Sequence, residues 1–228
     1  METSAGEPTH EIAVRIPIRP FEIQGLLALP EAPVGLVLFA EGSGSSRFHP
    51  RNRFVAEALW QGHLGTLVMD LLTPEEEEVD DETHLLRFDV DLLAGRLIIA
   101  TDWLRAQPLV RDLGVGYFSI STGAGVALVA ASERSALIRA VVACGGRTDL
   151  AGPALVSVHA PTLLIVGAED HLVLHLNRTA LQALPGADKG LQIIPDATHG
   201  FEEPGALERV AELSRDWFRR YLPHDAAT

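Results

Sequence analysis

The sequence predicts a three-layer α/β fold with a mainly parallel sheet, an antiparallel N-terminal hairpin and helices on both faces. Continuous apolar segments alternate with segments whose apolar residues recur at helical spacing, which is typical of strand–helix–strand units. The first two segments instead alternate apolar and polar residues, as half-buried strands do. With 228 residues, 47% hydrophobic and 21% charged, the chain is long enough for one sizeable core.

The predicted elements follow from these patterns in chain order. The hairpin is predicted at residues 11–29, where Pro20 separates its two strands. Six buried strands are predicted at 34–40, 64–72, 110–118, 139–143, 161–166 and 191–194. Helices are predicted at 50–61, 83–106, 122–132, 172–184 and 204–221, with one short helix within 148–158. The acidic run 75–78 is predicted to be a solvated loop.

Composition limits the partners and the compartment. We predict a single domain over 1–228, with 1–10 as a flexible N-terminal tail and 223–228 as a C-terminal tail. The formal net charge of −13 disfavours nucleic acid and anionic membrane surfaces as partners. The one cysteine, Cys144, excludes an intrachain disulfide. The N-terminus lacks the basic start and apolar core of a signal peptide. We therefore expect a cytoplasmic protein, either a monomer or a homodimer.

A cluster of small residues joins the predicted strand 110–118 to the helix 122–132. It reads Ser119-Ile120-Ser121-Thr122-Gly123, close to the G-x-S-x-G turn that presents a nucleophilic serine at the end of a sheet. A serine in such a turn is also a common turn residue. The pattern alone therefore makes Ser121 a candidate nucleophile and no more.

Two further polar residues follow later strands and, together with Ser121, make up a candidate set of catalytic residues. Asp170 comes after strand 161–166 and His199 after strand 191–194, so the order along the chain is Ser, Asp, His. His199 would take the proton of Ser121, and Asp170 would orient the imidazole. Asp170 alone could be a helix cap and His199 an exposed loop residue. Their order and their shared position at strand ends favour the catalytic interpretation.

An oxyanion hole is predicted beside this set. The backbone N–H of Thr122 is one expected donor, and Gly42 or Ser43, in the Gly- and Ser-rich loop after strand 34–40, supplies the second.

Other side chains suggest alternative sites that the pattern supports less well. His171 and His175 are four residues apart, but no third ligand and no H-E-x-x-H motif accompany them, so no metal is expected. Cys144 ends an apolar run and is predicted to be a buried apolar residue rather than a reactive thiol. Three arginines near strand ends could bind a carboxylate group: Arg47, Arg51 and Arg147.

With these residues in view, the chain from 34 to 221 resembles the dienelactone hydrolase branch of the α/β-hydrolase family. The most specific segments are 42–46 with 50–52, 70–76, the serine turn, 161–167 and 197–199. The resemblance implies an α/β-hydrolase fold, a triad at Ser121, Asp170 and His199, and no cofactor. It also implies hydrolysis of a small-molecule carboxylic ester or lactone through an acyl-serine intermediate.

Two residues depart from the pattern of this branch. Ser119 replaces a glycine of the turn, and Glu41 stands where related proteins commonly have histidine. A carboxylate beside an oxyanion hole opposes the developing charge unless it is protonated or turned away. Our hypothesis is that Glu41 lines the active site with a raised pKa; a solvent-facing loop residue is the alternative. The departures also leave open a hydrolase-like binding protein that has lost catalysis, and the same triad suits an acyltransferase.

Overall fold

The computed structural model describes residues 10–41 and 47–223. Eight strands of these ranges form one sheet in the order β1-β2-β4-β3-β5-β6-β7-β8. Strands β1 and β2 form an antiparallel hairpin, and β2 is also antiparallel to β4. All other neighbouring strands are parallel. The strands are β1 His10–Ile18, β2 Phe21–Leu29, β3 Gly35–Glu41, β4 Leu64–Met69, β5 Val115–Ile120, β6 Ile138–Cys144, β7 Thr162–Gly167 and β8 Lys189–Ile194.

Helices follow the strands, as the sequence predicts. They are α1 Pro50–Gln61, α2 Pro74–Thr83, α3 Val90–Arg105, α4 Gly123–Glu133, α5 His171–Ala183 and α6 Ala206–Tyr221, with 3₁₀ segments at Leu86–Phe88 and Thr148–Ser157. Within the described ranges, no helix combines the length and the apolar character that a membrane span requires. The predicted fold class is confirmed. Apart from His10 and Pro223, the predicted tails lie outside the described residues.

Four local predictions are wrong. Strand β5 begins at Val115, not at residue 110, because residues 107–113 form hydrogen-bonded turns. The acidic run 75–78 belongs to α2 rather than to a loop, because Thr73 and Glu76 form a capping box. The Thr73 hydroxyl accepts the Glu76 N–H, and the Glu76 carboxylate accepts the Thr73 N–H. Helix α3 begins at Val90, not at residue 83, because the Asp89 side chain accepts the N–H of Leu92 and caps it there. Strand β8, predicted to be buried, is an edge strand in which only Ile194 is buried.

Two apolar cores cover the two faces of the sheet. One contains α3 and α4, and the other contains α1 and α6. Strands β4, β5 and β7 are buried along their whole length, which explains their continuous apolar sequences. Because parallel strands end at the same edge, the residues that follow β3, β5, β6, β7 and β8 meet there.

Candidate active site

Ser121 occupies a sharp turn between β5 and α4. Its φ of +53° lies in the left-handed region, which is uncommon for a residue other than glycine. The turn is fixed by backbone hydrogen bonds: the Ser121 N–H donates to Cys144 O at 3.1 Å, and Arg147 N–H donates to Ser121 O at 2.9 Å. A strained backbone that is held by its neighbours is typical of functional sites. The structure therefore presents Ser121 at the carboxyl end of β5.

The small residues around Ser121 have separate structural reasons. A Cβ on Gly123 would lie 2.0 Å from Ala40 O, so only glycine allows the start of α4 to approach β3 this closely. Ser119, the departure from the usual turn, is fully buried in β5, and its hydroxyl donates to Val142 O at 3.2 Å. Its side chain is thus satisfied within the sheet, and the turn keeps its sharp geometry.

Asp170 and His199 are in direct contact. His199 Nδ1 lies 2.6 Å from Asp170 Oδ2, a short distance for a hydrogen bond between these groups. The other carboxylate oxygen accepts the N–H of Val173 at 3.4 Å, so Asp170 also caps α5. Asp170 is mostly buried, whereas the His199 side chain is half exposed. With Nδ1 held by the carboxylate, Nε2 is the imidazole nitrogen left to take a proton.

Gly145 links this pair to the serine turn. It directly follows Cys144, whose carbonyl holds the Ser121 N–H. The Cβ position of Gly145 is 3.4 Å from His199 O and 3.6 Å from His199 Cε1. Ser121 and His199 therefore flank the same two-residue segment at the end of β6.

Glu203 supports the loop that carries His199 and was not singled out from the sequence. Its Oε1 accepts the Thr198 N–H at 3.1 Å and the Thr198 hydroxyl at 2.6 Å. These bonds lower the pKa of the Glu203 carboxyl, and the bond from the Thr198 hydroxyl contributes most. No sequence motif marks this contact, because it depends on the loop folding back over five residues.

Thr122, the first predicted oxyanion donor, immediately precedes α4, where the helix dipole favours negative charge. In the described part of the chain its backbone N–H donates to no protein group. The other two predicted donors, Gly42 and Ser43, lie outside the described residues.

Glu41 ends β3 opposite Ile120 of β5, one residue before the serine. Its Cα is 3.2 Å from the Cβ position of Gly123, and both of its carboxylate oxygens are buried. Glu41 is therefore next to the serine turn, and its carboxylate does not face solvent.

Two of the three arginines considered as anion ligands already have carboxylate partners. Arg47 pairs with Asp70 through its guanidinium, and its backbone N–H donates to the same carboxylate. Arg147 pairs with Asp149 at 2.7 Å. Arg51 has a buried Nε and, among the described residues, no ion pair.

The alternative nucleophile and metal sites are not developed in the structure. Cys144 is 2% exposed, as predicted, and burial raises the pKa of its thiol to about 12. His171 Nε2 is 4.0 Å from Glu169 Oε2, and the His171 side chain is largely exposed. Among residues 10–41 and 47–223, no three His, Cys, Asp or Glu side chains are grouped as metal ligands.

Known proteins resemble this chain over nearly its whole length. Dienelactone hydrolase from Anabaena variabilis ATCC 29413 is 55% identical, with a TM-score of 0.92 over 95% of this chain and 99% of that one. Est1E from Butyrivibrio proteoclasticus shares the fold at 14% identity, with a TM-score of 0.76 over 91% of this chain and 98% of its own. A serine hydrolase without a lid from Xanthomonas campestris, 21% identical, has a TM-score of 0.72 over 95% of this chain and 97% of its own.

Curated relatives from Mycobacterium tuberculosis are 51% identical over 222 residues, which is 97% of this chain. They carry the provisional name of phosphoribosyl transferase, and this chain spans 49% of their length. The family model described as the dienelactone hydrolase family matches residues 23–222. On that match, and on the identity with the Anabaena protein, the chain belongs to the dienelactone hydrolase family.

Proposed function

We propose that this protein is a serine hydrolase that cleaves a carboxylic ester or lactone through an acyl-serine intermediate. The observation that carries the proposal is the 2.6 Å contact between His199 and Asp170 beside a serine turn with a φ of +53°. Membership of the dienelactone hydrolase family supports the same reaction class. A nucleophile, a base and a group that orients the base are the parts that acyl transfer requires.

In the first step, Ser121 Oγ attacks the carbonyl carbon while its proton passes to His199 Nε2. Asp170 stabilises the imidazolium that forms, without taking the proton itself. When the tetrahedral intermediate collapses, the bond to the leaving oxygen breaks, and that oxygen takes the proton from His199. A water molecule then attacks the acyl-serine, with His199 again as the base, and releases the acid. These steps use only groups of the chain, substrate and water.

The oxyanion needs preorganised donors at its final position. We propose the Thr122 N–H for one of them, because it stands at the start of α4. Gly42 or Ser43 remains our proposal for the second. Glu41, with both carboxylate oxygens buried beside the serine turn, is proposed as an active-site carboxylate that must be neutral or directed away from the oxyanion.

The substrate is proposed to be a small molecule. Ferulic acid, a small carboxylic acid, is bound in a structure of Est1E from Butyrivibrio proteoclasticus. At 15% identity, the similarity of Est1E to this chain extends only to the fold. We do not extend phosphoribosyl transfer to this chain. That name belongs to proteins about twice as long, and the Ser121–His199–Asp170 set has the chemistry of acyl transfer.

A fluorophosphonate probe tests the nucleophile, with the modified residue mapped by mass spectrometry. We expect the folded protein to be labelled at Ser121, and the Ser121→Ala variant to lose labelling and at least about 10³-fold in kcat on a short activated ester. Ser119→Ala is the matched control, because that serine is buried in β5 and should leave labelling intact. Failure to label the folded protein would favour the catalytically impaired binding protein. Products formed with added alcohol separate hydrolysis from acyl transfer.

The role of Glu41 has its own test. Glu41→Gln removes its titration but keeps its size, so we expect the pH–rate profile to change if this carboxylate lines the site. An unchanged profile with unchanged kcat would refute the active-site role. Glu31→Gln, in the exposed turn before β3, is a control for a general charge effect.

A further inference from the structure

A groove of about 480 Å³ lies between the first turn of α1 and the segment that follows His199. Its apolar walls come from Pro50 and Phe54 on the α1 side and from Phe201, Pro204 and Leu207 on the other. The Phe54 side chain is 39% exposed although the residue lies on a helix beside the core. A space of this size with aromatic and proline walls suits an apolar organic group.

The groove adjoins the loop that carries His199. Gly200, the next residue, lines it, and the ring of Phe201 forms part of its wall. The Cβ position of Gly145 is 3.4 Å from the Phe201 ring and 3.6 Å from His199 Cε1. Both rings therefore pack over the same glycine. The Phe201 wall of the groove therefore lies close to the imidazole that would carry the proton in the proposed reaction.

The direction of proton transfer decides which part of the ester reaches this groove. In acylation, His199 gives its proton to the leaving oxygen, so the alcohol departs on the histidine side of the carbonyl carbon. We propose that this groove binds the alcohol part of the ester, and that the preferred alcohol is an uncharged apolar or aromatic one. The inference rests on the proposed serine hydrolase function and adds the class of leaving group.

The charges around the groove exclude an anionic alcohol as the preferred group. Glu202, Glu203 and Glu208 line it, against the single guanidinium of Arg51. Glu203 is already bonded to Thr198, which keeps its carboxylate in place rather than turned to solvent. The carboxylates outnumber the cation, so the local potential opposes a second negative charge.

Two acetates that share an acyl group test the assignment. We expect Phe54→Ala to lower kcat/KM for 2-naphthyl acetate about tenfold, because part of the apolar contact with the alcohol is lost, and to change methyl acetate less than about twofold. Deacylation should proceed at the same rate from both esters, because both give the same acetyl-serine. Ile99→Ala is the matched control: it removes an apolar side chain that is 41% exposed, from α3 on the opposite face of the sheet from α1. It should affect neither ester.

Binding of 2-naphthol, followed by its fluorescence, supplies a readout that needs no turnover. Phe54→Ala should weaken it about tenfold, and 6-carboxy-2-naphthol should bind the unchanged protein less well than 2-naphthol. Equal losses on both acetates, or a larger loss for methyl 2-naphthoate than for 2-naphthyl acetate, would overturn the assignment. If Ser121 is labelled by the fluorophosphonate but these losses are absent, the groove proposal fails and the proposed function stands. If labelling fails, the proposed function fails, and with it the groove's role toward a leaving group.

Discussion

Gly123 is the residue at which the serine turn and strand β3 come closest. Because a Cβ there would lie 2.0 Å from Ala40 O, a Gly123→Ala variant must displace either the start of α4 or the end of β3. We expect the free energy of unfolding to fall by about 2–4 kcal/mol and kcat/KM by at least about 10²-fold. Denaturant unfolding and ester hydrolysis measure the two effects.

Gly95 provides the matched control for that substitution. It lies inside α3, and its Cβ position has no described atom within 4 Å. Gly95→Ala should therefore stabilise the protein by up to about 1 kcal/mol and leave activity unchanged. Similar effects of the two substitutions would contradict the view that close approach, rather than helix propensity, requires glycine at 123.

Glu203 acts on His199 through Thr198, so it is a positioning residue rather than a catalytic one. Glu203→Ala removes both bonds to Thr198, and we expect kcat to fall about tenfold because the imidazole is held less firmly. Glu203→Gln keeps an oxygen that accepts the same bonds and should retain most of the activity. Equal losses in both variants would argue for a different role of the carboxylate.

The pKa of Glu203 also predicts how its contribution depends on pH. In the folded protein the pKa is lowered from 4.5, chiefly by the Thr198 hydroxyl. The charged carboxylate therefore stabilises the fold above pH 4.5, and this contribution is lost as the pH falls through the lowered pKa. The difference in Tm between the unchanged protein and Glu203→Ala should shrink from pH 7 to pH 3. A difference that grows in acid would contradict this sign.

At the scale of elements, α2 is fixed to α3 by one carboxylate. Glu76 closes the capping box with Thr73, and its two oxygens accept from Arg96 at 2.5 and 2.6 Å. Arg96 is almost completely buried and also donates to Leu71 O at 2.6 Å. The Arg96 hydrogen bond is the main reason that the pKa of Glu76 is lowered, although burial opposes it.

Glu76→Gln leaves the buried guanidinium without its counter-charge. We expect a loss of about 2–3 kcal/mol in the free energy of unfolding, which corresponds to roughly 4–12 °C in Tm for a domain of this size. The lowered pKa means that the charged carboxylate is the stabilising form. The full loss in free energy of unfolding should therefore be seen above pH 4.5, and it should shrink as the pH falls through the lowered pKa. Glu78→Gln, on the exposed part of the same acidic run, should change Tm by less than about 2 °C. Equal shifts for the two would mean that charge repulsion, not the Arg96 pair, dominates.

The same helix shows why some elements could not be read from the sequence. A run of like charges suggested a loop, yet three residues supply a complete start signal: Thr73, Pro74 at the first helical position, and Glu76 at the third. The acidic side chains in the first turn also suit the helix dipole. Strands and long helices were predictable because their apolar periodicity is local. The Glu76–Arg96 pair was not, because it joins positions twenty residues apart.

On the scale of the whole molecule, the sheet brings the site residues together by topology. Three of them follow parallel strands, so their order along the chain was enough to predict that Asp170 and His199 would meet. The packing of Phe201 and His199 over Gly145 was not predictable, because it depends on how the loops after β6 and β8 fold over one another. The groove beside the loop that carries His199 is a consequence of that packing and of the position of α1.

Three of the six non-glycine residues with positive φ in the described ranges follow strands at this edge of the sheet. Ser121, Asp196 and Phe201 all have φ between +52° and +58°, and the first and last of these lie within the site or its groove. Positive φ costs a residue with a side chain about 1–2 kcal/mol, and the surrounding buried strands must hold it. The fold thus gives up some stability to present Ser121, the proposed nucleophile.

Substitution of Ser121, the proposed nucleophile, measures that cost. Ser121→Gly and Ser121→Ala should both abolish hydrolysis, but only glycine adopts a φ of +53° without a Cβ penalty. We expect Ser121→Gly to be more stable than Ser121→Ala by about 0.5–1 kcal/mol, because relief of strain exceeds the greater entropy of glycine in the unfolded chain. Urea unfolding of both variants and of the unchanged protein gives the comparison. If the alanine variant were equal to or more stable than the glycine variant, the turn would store no measurable strain, and its shape would be set by packing alone.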